Sequence, residues 1–130
     1  MKGIKIVLFA VIASLMFVGC GNNAETPSEI AKKVLAASIN FDFATLKKYV
    51  VKERIEEVDN VEQRMAEDVE FADNVKNMVK GATFKILSET IDGNSAVVIA
   101  GMFTEREGNF EEDIKFVKVN GEWKIDSRVY

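Results

Sequence analysis

The sequence predicts an α+β domain, with N-terminal helices packed on a curved four-stranded antiparallel meander. Three observations predict it. Apolar residues step by three or four between Ile30 and Val79. After Gly81 the apolar period becomes two. Turn signals at Asp92-Gly93, Gly108-Asn109 and Asn120-Gly121 then divide the remainder into strands. Connections that short force neighbouring strands to run antiparallel.

The first helix starts at Thr26-Pro27-Ser28-Glu29. Thr26 caps, Pro27 suits the first helical position, and Glu29 completes a capping box. Ile30, Val34 and Ala37, with Ala31 and Leu35, form its apolar face, and Lys32 and Lys33 lie opposite. Asn40-Phe41-Asp42 interrupts the pattern. Asp42 then caps a second, short helix whose apolar face is Phe43, Leu46, Tyr49 and Val50. From Lys52 to Lys80 the chain is charge-dense and helical, with Val51, Ile55, Val58, Val61, Met65, Val69, Ala72, Val75 and Val79 as its stripe. Asp59 and Glu62 repeat the capping-box spacing, which predicts a helix break near Asp59-Asn60. Gly81 is the expected helix stop, and Lys76 and Lys80 suit the negative end of the helix dipole.

Four strands follow: Thr83 to Ile91, Ser95 to Glu105, Phe110 to Val119, and Glu122 to Val129. Asn120-Gly121 is the strongest hairpin dipeptide of the chain. The last strand puts Trp123, Ile125, Ser127 and Val129 on one face and Glu122, Lys124, Asp126 and Arg128 on the other. A sheet of this size with one apolar face needs cover, so that face must meet the helical stripes. Small Ala100 and Gly101 in mid-strand permit a bend or bulge, which lets the sheet wrap a helix.

The N-terminus reads as an address. Lys2 and Lys5 precede Ile6 to Val18, a run interrupted only by polar Ser14. That is shorter than the roughly 20 apolar residues of a spanning helix and has signal-peptide proportions. Gly19 and Cys20 close the run, and Met16-Phe17-Val18-Gly19-Cys20 resembles the lipobox of bacterial lipoproteins. Phe17 stands where that family more often has leucine. The resemblance implies cleavage between Gly19 and Cys20 and acylation of the Cys20 sulfur. Residues 1–19 would be the signal peptide, 20–25 the lipidated cysteine and tether, and 26–130 the domain. A tether of five residues extends at most about 17 Å, which holds the domain close to a bilayer. The expected location is extracytoplasmic and membrane-anchored, on the outer membrane in a Gram-negative cell. No aspartate follows Cys20 to signal inner-membrane retention.

Composition removes whole classes of chemistry. Histidine is absent, which excludes Ser-His-Asp and Cys-His catalysis and histidine-bound metals. One cysteine allows neither an intrachain disulfide nor a CxxC site. Lys2 and Lys5 are the only charges before residue 20, so the formal charge of −4 becomes −6 without them. An acidic chain without a basic block does not suit a nucleic-acid backbone. One proline and 48% apolar content argue for a folded core.

The region from about Thr26 resembles small bacterial lipoproteins of a domain family of unknown function in the nuclear transport factor 2-like, or cystatin-like, superfamily, near its lumazine-binding-like members. Phe41-Asp42-Phe43 before a short helix and the closing Val119-Asn120-Gly121-Glu122-Trp123-Lys124-Ile125 carry the resemblance. It implies a cone whose bent sheet curls around the first helix and whose wide end can hold a pocket. Some members are isomerases or dehydratases, while many only bind or dimerise, so function has to be argued from the site.

An isomerase of that kind needs a carboxylate base and a hydrogen-bonding acid in an apolar pocket. Asp42, Tyr49, Asp113 and Tyr130 are the candidates. Asp42 reads more simply as a cap, Tyr49 as amphipathic core, Asp113 as an exposed strand acid beside Glu111 and Glu112, and Tyr130 as a frayed end. The acids of 56–73 fail the EF-hand spacing and read as a solvated helix face. Tyr49, Phe84, Phe103, Phe116 and Trp123 are the expected core or pocket aromatics. The sequence therefore predicts a non-enzymatic envelope module without cofactor or metal, anchored in the membrane through Cys20. Its partner would be another envelope protein or a second copy. The alternative is a carrier or sensor of a small apolar ligand, and an isomerase-type enzyme is the third reading.

Overall fold

The computed structural model describes residues 24–127. Gly19, Cys20, Arg128, Val129 and Tyr130, and with them the signal peptide and lipobox, lie outside the described residues. Four helices come first: α1 Pro27–Asn40, α2 Phe43–Tyr49, α3 Lys52–Glu67 and α4 Val69–Met78. Four strands follow: β1 Thr83–Asp92, β2 Ser95–Thr104, β3 Gly108–Val119 and β4 Glu122–Ile125. They form one antiparallel meander in the order β1-β2-β3-β4.

The first two helices start where their caps dictate. The Thr26 hydroxyl accepts the Glu29 N–H at 3.1 Å while Glu29 accepts the Thr26 N–H at 2.8 Å. Phe41 ends α1 in a left-handed conformation (φ 58°), and its N–H reaches back to the helix carbonyls. The Asp42 carboxylate then accepts from the Thr45 N–H at 3.2 Å and the Thr45 hydroxyl at 2.7 Å.

The expected break near Asp59-Asn60 is not where the helix ends. α3 runs unbroken through it to Glu67, and the break falls at Asp68, whose carboxylate accepts the Phe71 N–H at 3.0 Å. Asp59 and Glu62 do something else: they take the Lys47 ammonium at 2.8 and 3.0 Å and tie α3 to α2. Asp68 escapes a capping-box search because Phe71, not a glutamate, occupies the third helical position. Gly81 sits beyond the end of α4 at φ +68°, where a Cβ would also approach the Glu105 side chain to 2.7 Å.

The strands depart from expectation in three places. The irregularity lies in β1, between Ile86 and Ser88, where Leu87 is the extra residue. It bulges opposite the small residues of β2, and a Cβ on Gly101 would sit 3.4 Å from Leu87 Cδ1. The second turn is Glu105-Arg106-Glu107, with Gly108 already in β3, because the Thr104 hydroxyl takes the Glu107 N–H at 3.0 Å. β4 ends at Ile125, short of Val129. Beyond it the Lys115 N–H goes to the Ser127 hydroxyl at 3.2 Å instead of to a strand carbonyl.

α1 lies on the inner face of the sheet against β1 and β2, and α2 packs between α1, α3 and β4. The core gathers Ile30, Ala31, Val34 and Leu46 from the helices with Ala96, Val98, Phe116, Trp123 and Ile125 from the sheet. Among the described residues no helix is long and apolar enough to cross a membrane.

Candidate functional site

Strand alternation decides which side chains face the helices. On β2 these are Ala96, Val98, Ala100, Met102 and Thr104, and on β3 Phe110, Glu112, Ile114 and Phe116. The bulge at Leu87 switches the parity of β1, so Phe84 and Ile86 point inward before it and Glu89 and Ile91 after it. One end of this inner face is filled by α1, Phe116 and Trp123. At the other end the wall opens into a cavity of about 620 Å³.

The cavity is bounded by Val34, Leu35, Ser38 and Ile39 of α1, by Met78, Val79 and Ala82 around the end of α4, and by the sheet. Met102, Phe110 and Ile114 make its apolar floor. Its size is that of an ordinary small-molecule site. Polar groups are few. Thr104 is buried and already accepts from Glu107 N–H. Glu107, Glu112 and Asp113, all exposed, supply the charge, and among the described residues no Lys or Arg contributes to the wall.

Two carboxylates thus stand on the inner face with different fates. Glu89 accepts the Ser28 N–H at 2.9 Å, meeting the first turn of α1 where free N–H groups and the helix dipole favour an anion. Glu112 stands opposite Ala100, between Phe110 and Ile114. Among the described residues its carboxylate has neither a hydrogen-bond nor an ion-pair partner.

Of the residues singled out in the sequence, Asp42 and Tyr49 come together on one surface depression and the other described ones lie elsewhere. Tyr49 is buried and donates its hydroxyl to Glu25 Oε1 at 2.8 Å, with the ammonium groups of Lys33 and Lys48 over its ring at 5.9 and 5.3 Å. Lys33 also pairs with Glu25. That ammonium, with the Tyr49 hydroxyl, holds the Glu25 carboxyl below its ordinary range, and Glu25 in turn raises the Lys33 ammonium. Asp42 is likewise lowered, by the Thr45 hydroxyl and then the Thr45 N–H, as its capping role requires. Asp113 is exposed, pairs across from Ile99 on the outward parity and only borders the cavity. Asp42 and Tyr49 border one depression on α1 and α2, each already engaged by Thr45 and by Glu25, while Asp113 lies apart from them and Tyr130 lies outside the described residues. Phe116 and Trp123 are core, and Phe84 packs half-buried against it. Phe103 is a correction to the expected core: it points outward, 38% exposed, over a shallow depression shared with Leu87. None of these five aromatics lines the cavity; Phe110 and Met102 do. The alternation Phe110-Glu112-Ile114-Phe116 was the available signal for the cavity wall, obscured by the acidic run 111–113.

No group of three or more His, Cys, Asp or Glu suited to a metal ion occurs among the described residues. A solved structure with a similar fold is that of a candidate NTF2-like transpeptidase from Campylobacter jejuni, with a TM-score of 0.55 at 14% identity over 78% of this chain and 97% of that one. The fold is NTF2-like, and at that identity the likeness extends to the fold alone. The chain belongs to the domain family of unknown function DUF4878, matching it over residues 18–126. Among curated proteins, none matches this sequence closely enough to count as a relative.

Proposed function

We propose that this protein is a lipid-anchored, extracytoplasmic binding module of the bacterial cell envelope, without an enzymatic step, that holds a small, largely apolar ligand. The single observation that carries the reading is the cavity of about 620 Å³ walled by Val34, Leu35, Met78, Met102, Phe110 and Ile114. Catalysis would need a free, positioned acid-base pair; Asp42 and Tyr49 share a depression but are engaged as a cap and in a hydrogen bond to Glu25, and Asp113 stands apart. The Campylobacter jejuni neighbour's transpeptidase description does not carry over at 14% identity. The anchor rests on Cys20 and the apolar run before it.

Two measurements test it. Native mass spectrometry of the purified protein should find a small molecule bound, and one that is lost when Ile114→Trp fills the cavity. Metabolic labelling with a fatty acid should mark the protein, and Cys20→Ser should abolish both the label and membrane partitioning. Unchanged partitioning with an uncleaved N-terminus rejects the anchor. A ligand-free protein insensitive to Ile114→Trp rejects the cavity.

Exposed Leu87 and Phe103 on the outer face favour a second reading, docking to an envelope protein or a second copy. A stable dimer that Phe103→Glu dissociates would select it.

A further inference from the structure

We infer that the open edge of β3 is a peptide-docking site, where an extended segment of another polypeptide adds as a strand and sets an apolar side chain into the cavity. This rests on the reading of the cavity as a binding site and names the class of molecule that fills it. β3 is twelve residues long and β4 four, so β4 pairs only with Phe116 to Val119. Beyond that, the Asp126 N–H meets the Lys115 carbonyl at 2.8 Å and the Lys115 N–H meets the Ser127 hydroxyl. Among the described residues the edge is unpaired from there to Gly108.

The ladder fixes which groups are left over. The Lys118 N–H donates to the Asn94 carbonyl at 2.9 Å, so even-numbered residues of β3 turn their backbone groups toward β2. Odd-numbered residues turn theirs outward along the edge. Past Lys115 these are Asp113, Glu111 and Asn109, all exposed, and no described residue pairs with their backbone N–H and C=O groups. Donors and acceptors at alternate residues of a strand are the complement of an extended chain. β3 keeps its register with β2 unbroken from Gly108 to Val117, whereas the outer strand β1 is interrupted by the bulge at Leu87, a device that blunts an edge. The cavity adjoins the open half through Phe110 and Ile114. Alternate side chains of an added strand would stand beside those two residues, and the others beside Glu111 and Asp113. Pairing this edge with its own copy would set acids against acids, which disfavours a second copy and favours a strand bearing lysines.

The probe is the peptide acetyl-Lys-Leu-Lys-Leu-Lys-amide, titrated into the full chain in neutral detergent micelles. Binding is followed by the amide resonances of Asn109, Glu111 and Asp113, whose hydrogen exchange should slow as the peptide is added. Two further peptides carry N-methyl groups, one on the leucines and one on the lysines, which removes one alternate set of donors and keeps every side chain. One of them should bind about tenfold more weakly and the other about as well as the parent. Glycine in place of both leucines should also weaken binding, since nothing then enters the cavity. Absence of binding, or equal binding of the two methylated peptides, overturns the added strand. Undiminished binding of the glycine peptide removes its link to the cavity and overturns the inference as well. The three amides protected before any peptide is added would mean that residues 128–130 or a second copy already takes the edge, which also overturns it. None of these results touches the cavity reading, which stands or falls on the small molecule and Ile114→Trp.

Discussion

The two ends of the inner sheet face are built from the same kinds of residue and behave differently. At the packed end Phe116, Trp123 and Val98 meet Ile30, Ala31 and Leu46, and each is at most 4% exposed. At the open end Met102 and Phe110 are only half-buried, and α4 covers them with little more than Met78 and Val79. The packed end is closed because α1 and α2 press directly on the sheet. The open end is roofed by a helical pair held largely through its neighbours: Lys47 to Asp59 and Glu62, Arg54 to Asp126, and Lys80 to Glu105. Exposed ion pairs of this kind contribute little each, so the open end is the less stable part of the molecule. Dense packing gives stability, and the region it omits is the region available to a ligand.

Cutting into the packed end should have the largest effect. Phe116→Ala is expected to cost about 3–5 kcal/mol, and Phe110→Ala well under half of that, in paired denaturant titrations. Equal losses would abolish the distinction between the two ends. The next contrast concerns the acids of the α3–α4 pair. Asp68→Ala removes the cap of α4 and should cost about 1 kcal/mol. Asp59→Ala loses one exposed ion pair, worth a few tenths of a kcal/mol. If Asp59→Ala is the more damaging, the helix breaks where the sequence suggested.

Glu89 and Glu112 sharpen the comparison further. Glu89→Ala frees the Ser28 N–H and should lower stability by about 1 kcal/mol. Glu112→Ala should leave stability within about 0.5 kcal/mol or raise it, since that carboxylate is exposed and no described residue pairs with it. A large loss at Glu112 would make it structural. The smallest effect is on pH. Asp42 and Glu25 have lowered folded values, so their contribution is complete at neutral pH and disappears as acid titrates them below about 4. Asp42→Asn and Glu25→Gln should each flatten that part of the stability profile. An unchanged profile would mean that neither carboxyl is held by the contacts described.

The local parts of this protein were legible in its sequence because they depend on short-range physics. Thr26 with Glu29, Asp42 with Thr45, and Asn120-Gly121 at φ 52° and 81° act within three residues of themselves. The switch of apolar period at Gly81 is likewise written along the chain. The apolar run before Cys20 is a local pattern too, and it lies outside the described residues. The cavity was not legible, because it is space left between elements distant in sequence: the end of α1, the end of α4 and the far halves of β2 and β3.

The sequence by itself determined the α+β class, the order of the elements, three of the turns to within a residue or two and the aromatics of the packed end. Tertiary structure alone decided that Asp59 and Glu62 serve Lys47 instead of a cap, that Leu87 bulges over Gly101, and that Phe103 faces outward. It also decided that Glu89 meets the Ser28 N–H, while Glu112 has no partner among the described residues. Capping and turn preferences are set by each residue's own backbone neighbours. Parity after a bulge, and the pairing of a charge, are set by whatever the rest of the chain brings alongside.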